Sequence, residues 1–183
     1  IEHVPDVIGF LCSCEALLKD GGVLSLAIPY KRYCFDVFRW PSSTGEAMQA
    51  HTEQRRRHAP AAVFDHVANV AKRGDKICWD RQERDLPELL HSLEQAAGAF
   101  RSAVETDKYH DVHGWRFTPA SFRLIVHDLR ALGLIGLRER PAFEPQGCEF
   151  YAAFEKATDA VAAEMDRAQL AMAMLREMGD WLA

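Results

Sequence analysis

Side chains able to do chemistry gather in a few short stretches of this chain. Glu2 and His3 stand side by side at its start. An imidazole, with an ordinary pKa of about 6.5, can take a proton near neutral pH and serve as a general base, or it can orient a loop through hydrogen bonds alone. Lys31, Arg32, Tyr33 and Asp36 form a second stretch. A Lys–Arg pair suits an acidic ligand through charge-assisted hydrogen bonds; paired instead with Asp36, it would pin one segment to another. His110, Asp111, His113 and Trp115 make a third group. Two histidines three apart in a loop are a weak metal signal, so packing and hydrogen bonding are expected of His110, and a place near a ligand of His113 and Trp115. His51, His58 and His66, with Arg55, Arg56 and Arg57, read as a solvated basic stretch. Cys12 and Cys14 fall two apart on one helix, where they point to different faces.

The elements that must position these groups follow from pattern. Val7, Phe10, Leu11, Cys14, Leu17 and Leu18 recur at helical spacing between Asp6 and Gly21–Gly22, which predicts a helix over about 6 to 19. Val23 to Ile28 is an almost unbroken apolar run stopped by Pro29, the pattern of an interior parallel strand buried on both faces. Lys31 to Asp36 then leave the carboxyl end of that strand, where ligands bind in open α/β sheets. From Tyr30 to about His113 the strand pattern stops. Pro60 opens a helix of about 60 to 72, and Asp85 opens another running to about 105. Thr118–Pro119 caps a helix ending at Gly133, after which Leu134 to Glu139 and Cys148 to Glu155 read as a paired β-ribbon. Val161, Met165, Ala168, Met172, Leu175 and Leu182 then form the stripe of a long C-terminal helix, with Gly179 in one slot, suited to packing on the parent domain or to a helix–helix dimer contact.

Composition narrows the classes. The chain has 183 residues, 48% hydrophobic and 27% charged, enough for a soluble globular core. Its net charge of −5 leaves no basic excess to neutralise a phosphate backbone, so nucleic acid is not an expected partner. Five cysteines without a repeated CxxC argue against a disulfide framework and a structural zinc site, and fit a reducing cytoplasm. No run reaches the ~18 apolar residues of a membrane span.

In their order, IEHVPD, LLKDGG, IPYKRYCFD, HDVHGWRFTP, a helix, LGLI and a final hairpin, these segments resemble the second half of bacterial class I S-adenosylmethionine-dependent methyltransferases. The resemblance covers about residues 1 to 36 and 108 to 155. It implies an α/β fold, the C-terminal half of a Rossmann-like methyltransferase sheet with a helical insertion and a long C-terminal helix. Residues 1–29 and 114–156 would be the core, 30–113 an insertion acting as substrate lid, and 157–183 the C-terminal helix. It implies further that Ile1, Glu2 and His3 lie at the edge of the cofactor, with His3 as general base. Lys31, Arg32, Tyr33, Asp36, His113 and Trp115 would contact a small-molecule methyl acceptor such as a sugar or glycan precursor. Some relatives hold a divalent cation on Glu-x-x-Glu-His, of which Glu2–His3 could be the end; a metal stays undecided by the sequence.

The family's glycine-rich turn after its first strand and the acid ending its second are absent, since Gly21–Gly22 end a helix and precede a strand. On this reading the chain is a fragment of a longer enzyme, or its missing half comes from another chain, and alone it should not bind S-adenosylmethionine normally. The alternative is a non-catalytic, methyltransferase-like module for binding or oligomerisation.

Overall fold

Asp6, in extended conformation after a turn, accepts a hydrogen bond from the Gly9 amide at 2.9 Å, which caps α1, Val7–Leu17. A turn with Gly21 at φ +71° leads into β1, Val23–Pro29. The computed structural model describes residues 1–80, 82–83, 85–141, 143–156 and 166–179. Among them the architecture is mixed α/β, with six α-helices and two small antiparallel sheets. β5, Glu149–Lys156, is the middle strand of the larger sheet, flanked by β1 and by β4, Leu137–Arg140, both antiparallel to it. The expected β-ribbon is therefore present. On β5 alternate residues Phe150, Ala152 and Phe154 are buried, the period of a strand with one face on a core. That core includes Ile8 and Leu11 of α1 and Phe122, Ile125 and Leu129 of α5, Pro119–Ala131, whose Thr118 cap and closing Gly133 match expectation. Each such buried side chain contributes ~1.5–3 kcal/mol of transfer free energy.

β1 differs from the interior parallel strand expected. It pairs with β5 antiparallel and lies at the edge of the described sheet, with Val23, Ser25 and Ala27 exposed and Leu24, Leu26 and Ile28 turned inward. An apolar run cannot by itself tell one buried face from two.

The segment between β1 and α5 is built on an α-helical hairpin. α3, Pro60–Asn69, packs on α4, Leu93–Glu105, through Val63, Ala99 and Ala103, with Val112 of the following loop joining them. Both helices are shorter than expected. Ala71–Lys72 leave α3 to form β2, which pairs with β3, Glu88–Leu89, and the Ala71 amide donates to Phe35 O at 3.0 Å. Gly74 serves the turn beyond β2 rather than the helix end. Asp85 accordingly does not open α4; Ser92 does, in a reciprocal capping box with Gln95. Tertiary strand pairing here overrides local helix signals.

α2, Thr44–Thr52, was not expected; its capping box of Ser43 and Glu46 was the available signal. α6, Arg167–Gly179, turns Leu170, Met174 and Met178 toward α5, while Ala168, Met172, Leu175 and Gly179 of the expected stripe face outward. The helix carries two apolar stripes; on the docked side Arg167 grips Asp128 through Nε at 2.7 Å and Nη2 at 3.0 Å, and Glu177 accepts from the Ala120 amide at 3.0 Å. Val161, Met165 and Leu182 lie outside the described residues. No helix among the described residues is long and apolar enough to cross a membrane.

Candidate functional site

Two distant segments close the site by backbone pairing. The Gly114 and Trp115 amides donate to Glu2 O at 2.8 and 3.3 Å, and the Trp115 indole donates to Val4 O at 2.6 Å. These bonds set His113 against His3, their rings edge to face with centroids 4.7 Å apart. Trp115 itself belongs to the main core and anchors the loop, and it also lines a cavity of about 340 Å³ together with His58, Gly114 and Arg116.

Each of the two imidazoles is oriented by a carboxylate. His113 Nδ1 is 2.5 Å from Asp36 Oδ2, with both side chains buried. Arg39 Nη1 spans the pair from behind, donating to Asp36 Oδ1 at 2.8 Å and to His113 O at 2.7 Å. Burial works against the Asp36 carboxylate, but the hydrogen bond from His113 and the charge of Arg39 outweigh it and hold the pKa below the usual value. Phe35 packs on the His113 ring at 4.5 Å, and the His113 amide donates to His66 Nδ1 at 3.3 Å. His3 Nδ1 is 2.7 Å from Asp111 Oδ1, and its Nε2 is 3.6 Å from Glu2 Oε1. Glu2 Oε2 accepts from the Ile1 backbone nitrogen at 3.1 Å. One donor atom each from Glu2, His3 and His113 lies within 4.8 Å of the others.

The expected solvated stretch is only partly solvated. Arg56 and Arg57 are exposed, and His51 on α2 meets Asp6 at 2.9 Å. His58 and His66, by contrast, are packed into the site. His58 Nε2 donates to His3 O at 3.1 Å, and the Tyr109 hydroxyl reaches the same oxygen at 2.6 Å. Burial pushes both His58 and His66 down to about 4, so each is neutral at pH 7. Tyr109, His58 and residues 53–57 also line a cavity of about 570 Å³ beside the site. Gly114 permits this packing, because a Cβ there would stand 2.3 Å from His58 Nδ1. His58, His66, Tyr109, Arg39 and Gly114 were not picked out from sequence as site residues. Alternating capture by two loops leaves no periodic signal, although the glycine between His113 and Trp115 was a local hint.

The stretch after β1 divides. Asp36 joins His113, but Lys31 is buried, donates to Val37 O at 3.0 Å and is pushed by burial down to about 8. Tyr33 stacks edge-on against Tyr30 at 4.9 Å, and Arg32 O accepts from the Trp79 indole at 3.1 Å. Lys31, Arg32 and Tyr33 thus fasten the insertion, while the Asp36 ion pair goes to Arg39. His110 sits against Ser102, 3.5 Å away, in a packing role. All five cysteines are free thiols.

Chemically the cluster offers two imidazoles and a carboxylate facing a common space, backed by two further carboxylates. It can move a proton or hold a cation. Compared with protein-family models, curated proteins and solved structures, the chain has no significant match.

Proposed function

We propose that this chain forms the acceptor side of a class I S-adenosylmethionine-dependent methyltransferase acting on a small molecule with a hydroxyl group, such as a sugar or glycan precursor. The observation that carries the reading is the meeting of the two segments on which the resemblance rests, residues 1–6 and 110–119, in one cluster of imidazoles and carboxylates. The hairpin of β4 and β5 at the sheet edge is in keeping with it.

Ile1, Glu2 and His3 fit an edge of a cofactor site and not its cradle: among the described residues no glycine turn joins a strand to a following helix, and Gly21–Gly22 lie between α1 and β1. The bulk of the cofactor's contacts would come from residues outside this chain. When bound, S-adenosylmethionine supplies an electrophilic methyl group on a sulfonium. The chain's part is to hold the acceptor oxygen in line and receive its proton. With the cofactor bound, the chain would hold the acceptor oxygen in line with the methyl group, and the hydroxyl proton would pass into the cluster around His3. The cavity beside Tyr109 and His58 gives the acceptor's body a place to lie.

Calorimetric titration of S-adenosylhomocysteine into the full-length protein tests the reading, followed by transfer of labelled methyl to a panel of sugars. Binding is expected, and His3→Ala should lower kcat by roughly 10²–10⁴-fold, the range for loss of acid–base help. Absence of binding overturns it. A non-catalytic assembly module is favoured by one feature, the exposed Met172 and Leu175 on α6; concentration-dependent association lost in Met172→Glu, with no cofactor binding, would establish that instead.

A further inference from the structure

We infer that the cavity of about 570 Å³ between the end of α2 and the start of α3 binds the phosphate group of a small molecule through Arg55, Arg56 and Arg57. All three arginines line it, on a chain whose net charge is −5. Their placement comes from the end of α2. Gln54, at φ +50°, is the one non-glycine residue with a positive φ among the described residues. Its amide and that of Arg55 donate back to His51 O and Ala50 O, at 3.0 and 3.1 Å. This left-handed cap turns the chain out of the helix, and three consecutive arginines then border the cavity. The loop after α4 supplies Asp107 and Tyr109 to the same lining.

A run of arginines is ordinarily a solvated face held by ion pairs, and two such pairs are present. Arg55 Nε meets Glu53 Oε2 at 2.6 Å, and Arg57 Nη1 meets Asp107 Oδ1 at 3.0 Å and donates to Thr106 O. They do not balance the cavity. Two carboxylates stand against three guanidiniums, and His58 is neutral at pH 7, so one positive charge is left over. Arg56 carries it, since its side chain has no hydrogen bond or ion pair among the described residues. Ion pairs as exposed as these two are weak. They also leave both Nη groups of Arg55 and the Nε and Nη2 of Arg57 free to donate. Guanidinium forks match phosphate oxygens bidentately, and three forks offer more donors than one carboxylate has lone pairs to accept. The start of α3 adds to the site without making it: Ala59 and Pro60 line the cavity, and Ala59 gives no side-chain cap, so the positive end of the helix lies beside the anion.

The cavity has the size of a site for a whole small molecule rather than a bare anion. It also adjoins the imidazole cluster. The Tyr109 hydroxyl and His58 Nε2, both in its lining, lie 2.6 and 3.1 Å from His3 O. A ligand anchored by its phosphate at the arginines extends past these two rings toward His3. Taken with the function proposed above, on which this one step rests, the methyl acceptor is a phosphorylated sugar; the binding of phosphate does not rest on it.

Calorimetric titration of inorganic pyrophosphate and of glucose 1-phosphate into the full-length protein at low salt tests the site, with glucose as the uncharged control. Both phosphates are expected to bind, more weakly as salt rises, and glucose is not expected to bind at the same concentrations. Arg56→Ala breaks no contact within the fold and should weaken pyrophosphate roughly tenfold, the effect of one charge-assisted hydrogen bond. Arg56→Lys should recover only part of that, because it restores the charge without the fork. Asp107→Asn is the sharper measurement. Removing a carboxylate that competes for Arg57 should tighten pyrophosphate roughly threefold, whereas a purely structural pair predicts no gain. Arg176→Ala, on α6, should change nothing. Failure of both phosphates to bind the folded protein, or binding indifferent to Arg56→Ala and Asp107→Asn, overturns the inference. Phosphate binding without S-adenosylhomocysteine binding keeps this site and removes the methyltransferase; S-adenosylhomocysteine binding without phosphate binding does the reverse.

Discussion

Gly114 passes so close to His58 that an added methyl would lie 2.3 Å from Nδ1 and 2.5 Å from Cε1 of the ring. The ring cannot swing away cheaply, since its Nε2 bonds the His3 carbonyl and the Tyr109 ring packs on it at 5.5 Å. Gly114→Ala is therefore expected to destabilise by ~1–3 kcal/mol, the usual range for overpacking, which urea unfolding measures. At this scale the sequence was partly legible. His3, Asp111 and His113 carried their chemistry in their type and neighbourhood. His58 and Arg39 did not, because a histidine beside three arginines reads as solvated until the fold shows that His58 is 6% exposed while Arg56 and Arg57 face outward. Arg39 is further hidden by what it does: a guanidinium with Nε and Nη2 buried and unpartnered is held by the Asp36 carboxylate three residues before it and by the His113 carbonyl, which the chain order does not bring near it.

Thr118 is where the second site loop becomes a helix. Its buried hydroxyl accepts from the Ser121 amide at 3.2 Å, while Ser121 Oγ accepts from the Thr118 amide at 2.8 Å, and Pro119 occupies the first helical position. Thr118→Ala removes one half of this box and leaves a buried amide unsatisfied. The expected cost is ~1–2 kcal/mol, seen as a lower denaturation midpoint with an unchanged slope; Thr118→Ser should recover most of it. α5 was legible because cap, proline, stripe and closing glycine agree. The β4–β5 ribbon was legible for the same reason. The start of α4 was not, since Asp85–Leu86–Pro87 is a sound helix signal until Glu88–Leu89 finds β2. Nor was the docking face of α6, where Leu170 is buried and Met172 half-exposed although each sits in an apolar stripe. Periodicity names the stripes; only the partner, here α5 with Asp128, selects between them.

The molecule as a whole folds around several ionisable groups, and these set its response to acid. His58 and His66 have their pKa pushed down to about 4, mainly by burial, from an ordinary 6.5. Between those values the unfolded chain binds more protons than the folded one, so stability rises with pH through the window. The stabilisation is fully present above about 6.5 and is lost as pH falls toward 4. Asp36 acts in the same direction at lower pH: its pKa is held below 3.8, so its contribution is present above that value and is lost only as acid protonates it in the folded state. Lys31 acts in the same direction at higher pH. Its pKa is lowered by burial to about 8, so the folded protein gains stability as pH rises from there toward 10.5. Each histidine adds at most about 1.4 kcal/mol per pH unit to the acid limb. Replacing His58 with Gln removes one of these two groups and keeps an amide that can donate to His3 O. Melting temperatures of His58→Gln and the parent, taken from pH 7 to pH 4, should therefore converge as pH falls. The variant is less stable at pH 7 and has the shallower slope below 6.5, because its lost packing is constant with pH while the parent's proton-linked penalty grows. Parallel curves would mean that the folded protein accommodates a charged His58, and so that the ring is not sealed from water by Gly114, Tyr109 and the His3 carbonyl.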